Sequence, residues 1–426
     1  MTAVEHAPTP TGGVFASLRS ANYRRYAAGQ LVSLVGTWMQ RVAQDWLVLE
    51  LSGGSATALG FAAFLQFGPS LLLSVWGGVL ADRLDKRRLL VVLQSAMGLC
   101  ALLLGLAVVT GLVRLWHVFV LCAVLGCFAA LDIPVRQAFI SELVTPGQLP
   151  NAVALNTVMF NSARIAGPAL AGVTIAAVGT GWAFLINAVS FAAVVAALLA
   201  MKETELFRNP SAAKDGGGLR AALRYVRGRH DLLVVVGLAG IMAAFCLNYQ
   251  VTLPVLVRNV FGLGAPEYGL LTSLVAIGSV AGGVVAARRT ARPRLRVVLG
   301  SALAFGVLVI VAGLMPSYPA TGVVMVLMGF AALSFTTAAN ASVQLGADPG
   351  MRGRVIGLYM LLFVGGTPLG APILGAVAER WGGRAPLVFG GAVGVLAVLV
   401  VVAVLASRVG GWRELFRMKP LAPEPR

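Results

Sequence analysis

The sequence has few charged residues, which make up 12% of its 426 positions. A soluble domain carries about 25% charged residues, because it needs them to cover a surface that faces water. Hydrophobic residues make up 58% of this chain, and its mean hydropathy is +0.87. The scarcity of charge therefore excludes a soluble globular protein and predicts that most of the chain faces lipid.

Cysteine and histidine are also scarce, and neither type forms a cluster. The four cysteines lie in apolar segments, where we expect them to pack as small side chains: Cys100, Cys122, Cys127 and Cys246. The three histidines are scattered: His6, His117 and His230. This spacing argues against a disulfide framework and a Cys/His metal site. We expect neither a metal nor an organic cofactor.

Lysine occurs only four times, and no lysine follows a glycine: Lys86, Lys202, Lys214 and Lys419. The phosphate loop of an ATPase needs Gly-Lys followed by Ser or Thr. The chain therefore lacks the signature of an ATP-driven pump, and an ATPase would have to be a separate chain.

Acidic residues are outnumbered, with 16 against 33 basic residues and a net charge of +17. Such a balance can indicate a nucleic-acid partner. Numbering the loops from an inside N-terminus, however, puts 27 of the 33 basic residues on one side of the predicted membrane, as the positive-inside rule expects. We therefore predict no nucleic-acid partner and two cytoplasmic termini. Residues 1–20 lack the pattern of a signal peptide, so we expect the first helix to insert uncleaved.

Apolar windows of membrane-spanning length predict an all-α integral membrane protein with twelve transmembrane helices. The windows cover residues 23–50, 57–80, 89–111, 115–136, 150–178, 181–201, 231–257, 268–287, 297–315, 320–345, 354–378 and 385–407. One long interruption divides them into two sets of six. The predicted organisation is a disordered N-terminus (1–21), a six-helix bundle (22–201), a linker (202–230), a second bundle (231–408) and a cytoplasmic tail (409–426).

The linker carries a short pattern of apolar residues near helical spacing with arginines between them, at 219–227. This pattern predicts a short amphipathic helix on the cytoplasmic membrane surface. A solvated linker helix is the alternative.

The two halves repeat each other. Gly77-Gly78-Val79 recurs as Gly282-Gly283-Val284 before another basic turn that includes Arg292, at an offset of 205. At an offset of 203, Pro146-Gly147 recurs as Pro349-Gly350, and three more pairs keep that register: Leu155 with Leu358, Gly167 with Gly370, and Gly172 with Gly375. Nearly equal offsets in unrelated stretches favour duplication over chance.

A densely charged turn, Gly77–Arg88, joins the second and third windows. From Gly78, its pattern Gly-x-x-x-Asp-Arg-x-x-Lys-Arg-Arg resembles the loop between the second and third helices of major facilitator transporters. It departs from that family at Asp85, where glycine is usual. The resemblance implies two parallel six-helix repeats about an axis along the membrane normal, with the substrate site at mid-depth between them.

The resemblance also implies that this loop is a gate. Asp82 would face the N-terminal end of helix eleven near Gly353, where exposed N–H groups favour a negative charge. The gating residues are then Gly78, Asp82, Arg83, Lys86, Arg87 and Arg88. An ordinary basic membrane loop is the alternative.

Helix one has a polar stripe within an apolar segment. Arg41 and Asp45 are four residues apart, so they can pair on one face. Because a charge at mid-bilayer costs about 2.5–3.5 kcal/mol on insertion scales, we interpret Asp45 as a carboxylate that takes up protons and Arg41 as its partner. A static ion pair between helices is the alternative. The neighbouring cavity candidates are Gln30, Thr37, Gln40 and Gln44.

Helix five contains Gly167-Pro168 and then Gly172. This motif is similar to the fifth-helix motif of drug and proton antiporters, although Ala163 and Ala171 replace flanking glycines. Further motifs look like the enterobactin-exporter-like branch of bacterial facilitators: Asn22-Tyr23-Arg24, Gly36-Thr37-Trp38-Met39-Gln40, Asp132-x-Pro-x-Arg-Gln-Ala-Phe, Asn151-Ala-x-Ala-Leu-Asn and Asn248-Tyr249-Gln250. That branch is associated with export of siderophores, macrolides and other drugs.

Arg164 lies near the middle of helix five, where we expect it to meet Asp45, Asp132 or Glu142. Arg164 and Asp132 join Asp45 and Arg41 as candidates for proton coupling. The remaining cavity candidates are polar residues in predicted helices: Asn156, Asn161, Asn248, Tyr249, Gln250, Thr336, Asn340 and Tyr359. Each could instead form only a helix–helix hydrogen bond. Together they favour an amphiphilic cargo that is neutral or cationic.

The sequence thus predicts a secondary active exporter in the cell membrane that exchanges a small amphiphilic molecule (a drug, siderophore or secondary metabolite) for protons. Its expected partners are the lipid bilayer, the cargo and protons, with the proton gradient as energy source, and we expect a monomer. A nutrient importer is one alternative. A lipid-modifying membrane enzyme is another, but no His/Asp/Glu or Cys/His cluster falls at a membrane face.

Overall fold

The computed structural model describes residues 15–207, 219–288 and 295–409, and these residues are folded almost entirely as α-helices. The helices in these ranges are α1 (Ala21–Leu51), α2 (Ala56–Arg83), α3 (Lys86–Val109), α4 (Leu115–Leu143), α5 (Leu149–Val178), α6 (Thr180–Leu199), α7 (Leu219–Gly228), α8 (His230–Phe245), α9 (Tyr249–Val255), α10 (Ala265–Ala287), α11 (Leu295–Leu314), α12 (Tyr318–Gly346), α13 (Arg352–Trp381) and α14 (Ala385–Val409). Below, the N-terminal half is residues 15–207 and the C-terminal half is residues 219–409.

Each of the twelve predicted windows falls on helical structure. Ten segments within the described ranges are long and apolar enough to cross a membrane. α1 and α5 are not among the ten, although they have 31 and 30 residues. Their polar side chains lower the mean hydropathy without shortening the helix. The helical count exceeds twelve because α7 lies in the linker and α9 continues α8 after a break.

Residues with the expected capping chemistry mark several helix ends. The hydroxyls of Ser20 and Ser55 accept hydrogen bonds from backbone N–H groups in the first turns of α1 and α2. Gly179 and Gly382 end α5 and α13 with φ angles of +92° and +87°. Only glycine adopts this region freely. These two glycines are also 203 positions apart, the offset of the predicted repeat.

The glycine pairs of the predicted repeat occupy equivalent positions in the two halves. A Cβ on Gly172 would lie 2.7 Å from the backbone of Pro266 on α10, and a Cβ on Gly375 would lie 2.6 Å from the carbonyl of Ala56 on α2. Both glycines therefore allow a helix of one half to touch the backbone of the other half. Gly167 and Gly370 instead face α1 and α8 within their own halves.

Replacing Gly375 with Ala is expected to destabilise the protein by about 1–3 kcal/mol, because overpacking forces backbone shifts. Gly357 on the same helix is the matched control, since a Cβ there would meet nothing within 4 Å. Thermal unfolding of the purified protein should show a lower Tm for Gly375→Ala and an unchanged or higher Tm for Gly357→Ala. Equal effects of the two substitutions would contradict the close α2–α13 contact.

The two halves touch at one end of the molecule. We call the end that carries residues 84–88 the basic end, and the opposite end, at the 52–55 turn, the closed end. One buried apolar cluster joins Val42 and Trp46 of α1 to the core of the C-terminal half, and another joins Val251 and Ala378 to the N-terminal half. The contacts that these clusters make between the halves lie toward the closed end and seal it.

The N-terminal segment is ordered over a longer stretch than the sequence predicts. The disordered N-terminus was predicted to extend to residue 21, but Ala16–Arg19 form a 3₁₀ turn and Ser17 is fully buried with a hydrogen bond to Asn151. The predicted disordered segment was too long, because polarity alone does not show whether a turn packs against the rest of the protein. Residues 1–14 of this segment, 208–218 of the linker, the turn residues 289–294 and residues 410–426 of the tail lie outside the described residues.

The linker helix α7 packs against protein. Ala222 and Val226 are buried in the core cluster of the C-terminal half, while Arg220 and Arg224 on the same helix are exposed. The Tyr225 hydroxyl accepts a hydrogen bond from the backbone N–H of Asp348, at 3.2 Å. α7 is therefore amphipathic, and its apolar face is covered by the C-terminal half.

Candidate functional site

A cavity of about 490 Å³ lies between the two halves. Its lining comes from both of them, through α1, α2 and α5 on one side and α8, α9, α10, α12 and α13 on the other. Phe160 and Met360 line it and are each 41% exposed. The cavity is therefore accessible, and it opens toward the basic end because apolar packing seals the other end.

Seven of the sequence-predicted site residues line this cavity: Arg164, Asn248, Tyr249, Gln250, Thr336, Asn340 and Tyr359. Aromatic side chains form much of the remaining wall: Trp38, Phe67, Phe160 and Phe363. These four were not predicted from the sequence, because polar residues stand out in an apolar helix whereas aromatic residues are common in all membrane helices. Ser279, which also lines the cavity, was missed as an isolated hydroxyl in an apolar helix.

Arg164 connects the halves through neutral hydroxyls. Its Nη2 donates to the hydroxyl of Tyr249 at 2.9 Å and to that of Ser279 at 3.4 Å. The expectation that it meets Asp45, Asp132 or Glu142 was wrong, since each of these carboxylates has another partner. Helical spacing places a residue on a face, but it does not select the helix that face meets.

Asp45 is buried and accepts a hydrogen bond from the hydroxyl of Tyr268, on α10, at 2.7 Å. This bond crosses between the halves at the closed end of the cavity. Arg41 instead stacks over the ring of Trp38, 4.5 Å from its centroid. Within the described residues, no ion pair joins Arg41 to Asp45. Tyr268 was not predicted as the partner of Asp45, because nothing in the local pattern of α10 points to α1.

Asp132 and Glu142 belong to the N-terminal half alone. Asp132 accepts from Nε2 of Gln94 at 2.7 Å and lies 3.4 Å from Nε of Arg136. Glu142 pairs with Lys86 at 2.7 Å. Both carboxylates lie outside the cavity lining and hold α4 to α3.

The polar stripe of helix one faces protein, but its amides point away from the cavity. Gln40 accepts a hydrogen bond from Asn187 on α6 at 2.6 Å, and Gln44 donates to Gln66 on α2 at 2.8 Å. Gln30 is buried and Thr37 is half-buried, and neither lines the cavity. The prediction of four cavity residues here was wrong, because a polar stripe shows only that a face avoids lipid.

Two predicted residues of helix five also lie outside the cavity lining. Asn156 is half-buried, and Asn161 donates to the carbonyl of Thr157 in its own helix at 2.9 Å. The side chain of Asn161 therefore satisfies a local backbone acceptor.

The predicted seventh helix is broken where its polar residues lie. α8 ends at Phe245, α9 begins at Tyr249, and a π-helical stretch, Leu256–Val260, follows. Asn248 donates to the carbonyl of Ala244 at 2.6 Å and to that of Thr367 at 3.3 Å, so its amide binds backbone at the break. Discontinuous helices at membrane mid-depth occur where backbone lines a cavity or a binding site. The break turns Tyr249 and Gln250 toward the cavity.

The basic turn Gly77–Arg88 is braced against its own half. Arg87 donates to the carbonyls of Leu198 and Leu199 at the end of α6, at 2.7 and 2.9 Å, where a cation is favoured. Asp85 caps α3 by accepting from the N–H of Arg88 at 2.9 Å, which explains an acidic residue at this position. Gly77 allows the close approach of α2 to α4, whereas the space around Gly78 is open. Asp82, Arg83 and Arg88 are exposed.

The closed end carries a second carboxylate besides Asp45, and this one was not predicted from the sequence. Glu379, near the end of α13, accepts from the N–H groups of Ala56 and Thr57 at 3.1 and 3.4 Å and from the hydroxyl of Ser55 at 3.3 Å. It therefore binds the N-terminus of α2, where the helix dipole favours a negative charge. Asn259 adds a hydrogen bond to the carbonyl of Gly54 at 3.0 Å.

The chain matches known proteins over most of its length. Residues 12–421 match the family model described as a transmembrane secretion effector. The staphyloferrin A transporter of Staphylococcus aureus is 28% identical over 258 residues, which cover 60% of this chain and 64% of that protein. The enterobactin exporter of Citrobacter koseri is 24% identical over 409 residues, which cover 94% of this chain and 95% of that one.

The fold is also shared with a solved structure. A bacterial homologue of the human lysosomal transporter Spinster, in an inward-facing and occupied conformation, is similar with a TM-score of 0.72 and 15% identity, covering 93% of this chain and 98% of that one. The apolar helices and the transporter relatives indicate a multi-pass membrane protein. The chain therefore belongs to the transmembrane secretion effector family of major facilitator transporters, which are carriers and not enzymes.

Proposed function

We propose that this protein is a proton-coupled exporter of a small amphiphilic molecule, working by alternating access. One observation carries the proposal: a cavity lies between two halves that meet at one end and leave the cavity accessible at the other. A secondary transporter needs this geometry, because its substrate site must be open to one side at a time.

The proposal includes twelve membrane-spanning helices in two bundles of six. The ten apolar segments supply ten of them, and α1 and α5 are the other two. The polar residues that lower the mean hydropathy of α1 and α5, such as Gln40 and Arg164, contact protein. The basic end then faces the cytoplasm by the positive-inside rule, so both termini are cytoplasmic and the present conformation is open inward. Because the cavity forms within one chain, a monomer suffices.

Proton coupling is assigned to Asp45. A charged Asp45 accepts a strong hydrogen bond from Tyr268 and so holds the closed end shut. Protonation removes the charge from the acceptor and weakens this link between the halves. An empty, deprotonated carrier would then stay open inward, which prevents it from returning outward without cargo. Arg41 and Arg164 add positive potential near Asp45. Asp132 is bound by Gln94 and Arg136 within the N-terminal half, so it is not assigned this role.

The relatives support a siderophore or a similar secondary metabolite as cargo. One is named as a staphyloferrin A transporter and another as an enterobactin exporter. The family description, a secretion effector, favours export over import. The cavity volume of about 490 Å³ suits a drug-sized molecule.

A secretion profile tests the direction of transport and the cargo together. A strain that lacks this protein should retain at least one small metabolite in its cells and lose it from the medium, as measured by untargeted mass spectrometry, and the wild-type gene should reverse both changes. A metabolite that is depleted from cells and left in the medium would instead identify an importer. Unchanged profiles in both compartments would contradict the proposal.

A further inference from the structure

Resting on the proposed function, we infer that the cargo is an aromatic anion: Arg164 binds its negatively charged group, and two pairs of aromatic rings hold its apolar part. The basis is the charge of the cavity wall. Among the described residues that line the cavity, Arg164 is the one with a formal charge, and no carboxylate lines it.

The charge of Arg164 is not neutralised by the protein. Its two hydrogen bonds go from Nη2 to the neutral hydroxyls of Tyr249 and Ser279. A guanidinium has five N–H donors, and within the described part of the chain Nε and Nη1 have no acceptor. The protein therefore leaves the N–H donors on two of the three nitrogens of this group for a ligand.

The nearby carboxylates do not compensate for this cation. Asp45 is buried behind the cavity wall and is held by Tyr268, and Asp132 pairs with Arg136 in the N-terminal half. A second cation, Arg41, lies against Trp38, which itself lines the cavity. The cavity therefore has a positive potential. This potential disfavours the cationic cargo that the sequence suggested.

An oxyanion on the cargo would accept hydrogen bonds from the free Nε–H or Nη1–H groups of Arg164. Hydrogen bonds between a guanidinium and a carboxylate, sulfonate or phosphate group are charge-assisted and are stronger than neutral ones. Leaving a charge unpaired in a partly desolvated site is unfavourable. An anionic ligand gains both terms, whereas a neutral ligand of the same shape gains neither.

Aromatic rings form the rest of the binding surface. Trp38 and Phe160 pack edge to face with centroids 5.8 Å apart, and Tyr359 and Phe363 stack at 5.7 Å. The first pair belongs to the N-terminal half and the second to the C-terminal half, and all four rings line the cavity. Ring faces and edges from both sides favour an aromatic cargo. One ring in this set, Trp38, is already covered by Arg41.

A competition experiment tests this assignment. The full-length protein in lipid nanodiscs is loaded with the neutral fluorescent probe N-phenyl-1-naphthylamine, and empty nanodiscs supply the background. Two competitors of nearly equal shape are compared: 2-naphthalenesulfonate, an anion, and 2-naphthalenesulfonamide, which is neutral. In the wild type, the anion should displace the probe at a concentration at least about tenfold lower than the neutral competitor needs. This is the effect expected of a charge-assisted hydrogen bond.

Three variants separate charge from packing. Arg164→Gln should bring the two competitors within about twofold of each other. Arg164→Lys, which keeps the charge but loses the planar guanidinium and its donors, should leave a reduced preference for the anion. Phe363→Ala is the matched control, because it should weaken both competitors and preserve their ratio. If Arg164→Gln does not fold, the ratio of the two competitor concentrations in the wild type and in Arg164→Lys still tests the inference.

The inference is overturned if the wild type shows no preference for the anion, if neither competitor displaces the probe, or if Arg164→Gln leaves the preference intact. These results are independent of the direction of transport. A secretion profile that indicates import, together with an intact preference for the anion, would contradict the proposed export and leave the cargo class standing.

Discussion

Replacing Asp45 with Asn is expected to reduce transport driven by a pH gradient about tenfold or more. Among the described residues, Asp45 is the buried carboxylate that links the halves beside the cavity, and asparagine cannot take up a proton in its place. Asn keeps the size of the side chain and an oxygen that accepts from Tyr268. Cargo binding should persist, since Asp45 lies outside the cavity lining among the described residues. Exchange of cargo across a membrane without a pH gradient should therefore continue.

This pattern separates coupling from a structural role. If Asp45 only stabilised helix packing, Asp45→Asn would lower driven transport and exchange by the same factor, together with the Tm. Glu50 is the matched control, because it lies on the same helix near its end, is exposed, and accepts a hydrogen bond from Thr180 at 3.4 Å. Glu50→Gln should leave both activities close to wild type. The measurements use proteoliposomes and the cargo that the secretion profile identifies.

Replacing Asp82 with Asn and Glu379 with Gln is expected to shift the conformational equilibrium in opposite directions. α2 and α13 pack along each other, and each carries a carboxylate near its C-terminal end. Glu379 on α13 binds the N-terminus of α2 in the present conformation. Asp82 on α2 is proposed to bind the N-terminus of α13 near Gly353 when the basic end closes. In the present conformation Asp82 and Gly353 are both exposed.

The expected size of each shift follows from the helix dipole. A carboxylate at a helix N-terminus contributes about 1 kcal/mol, which corresponds to about a fivefold change in population. Asp82→Asn should favour the inward-open state and lower turnover, and Glu379→Gln should favour the outward-open state. The double variant should return toward the wild-type balance. Asp85→Asn is the control, because Asp85 caps α3 within one half and should affect stability alone.

Spin labels on a different pair of helices report the shift. Val153 on α5 and Val284 on α10 are both exposed near the basic end, at 50% and 51%. In a background without the native cysteines, Val153→Cys and Val284→Cys carry the labels, and the distance between them should lengthen with Asp82→Asn and shorten with Glu379→Gln. Shifts of the same sign in both variants would contradict the paired clamps.

The helices could be predicted from the sequence because lipid imposes one rule on a whole segment, and averaging over a window recovers it. The same averaging hid the break at Asn248, where three polar residues in an apolar window indicated function but not a change of backbone. The glycine offsets indicated a duplication, and the paired glycines also proved to make equivalent contacts between the halves. Gly172 and Gly375 make equivalent contacts between the halves because duplicated helices cross at the same point.

The site was harder to predict, for a physical reason. Gln40, Gln44 and Arg164 are all polar residues that avoid lipid, yet the first two bind neighbouring helices and only the third lines the cavity. Avoidance of lipid depends on the helix face, whereas the choice between a neighbour and a cavity depends on tertiary packing. Tyr268 and Glu379 were missed because each gains its role from a partner more than 200 positions away.

The most direct test of proton-coupled export follows the protons themselves. Inverted vesicles that contain the wild-type protein and trapped pyranine are given an acidic interior, and the cargo is then added outside. We predict that cargo entry raises the internal pH as protons leave, and that Asp45→Asn abolishes this response. Cargo that accumulates while the internal pH stays constant, or that moves independently of the gradient, would contradict the account.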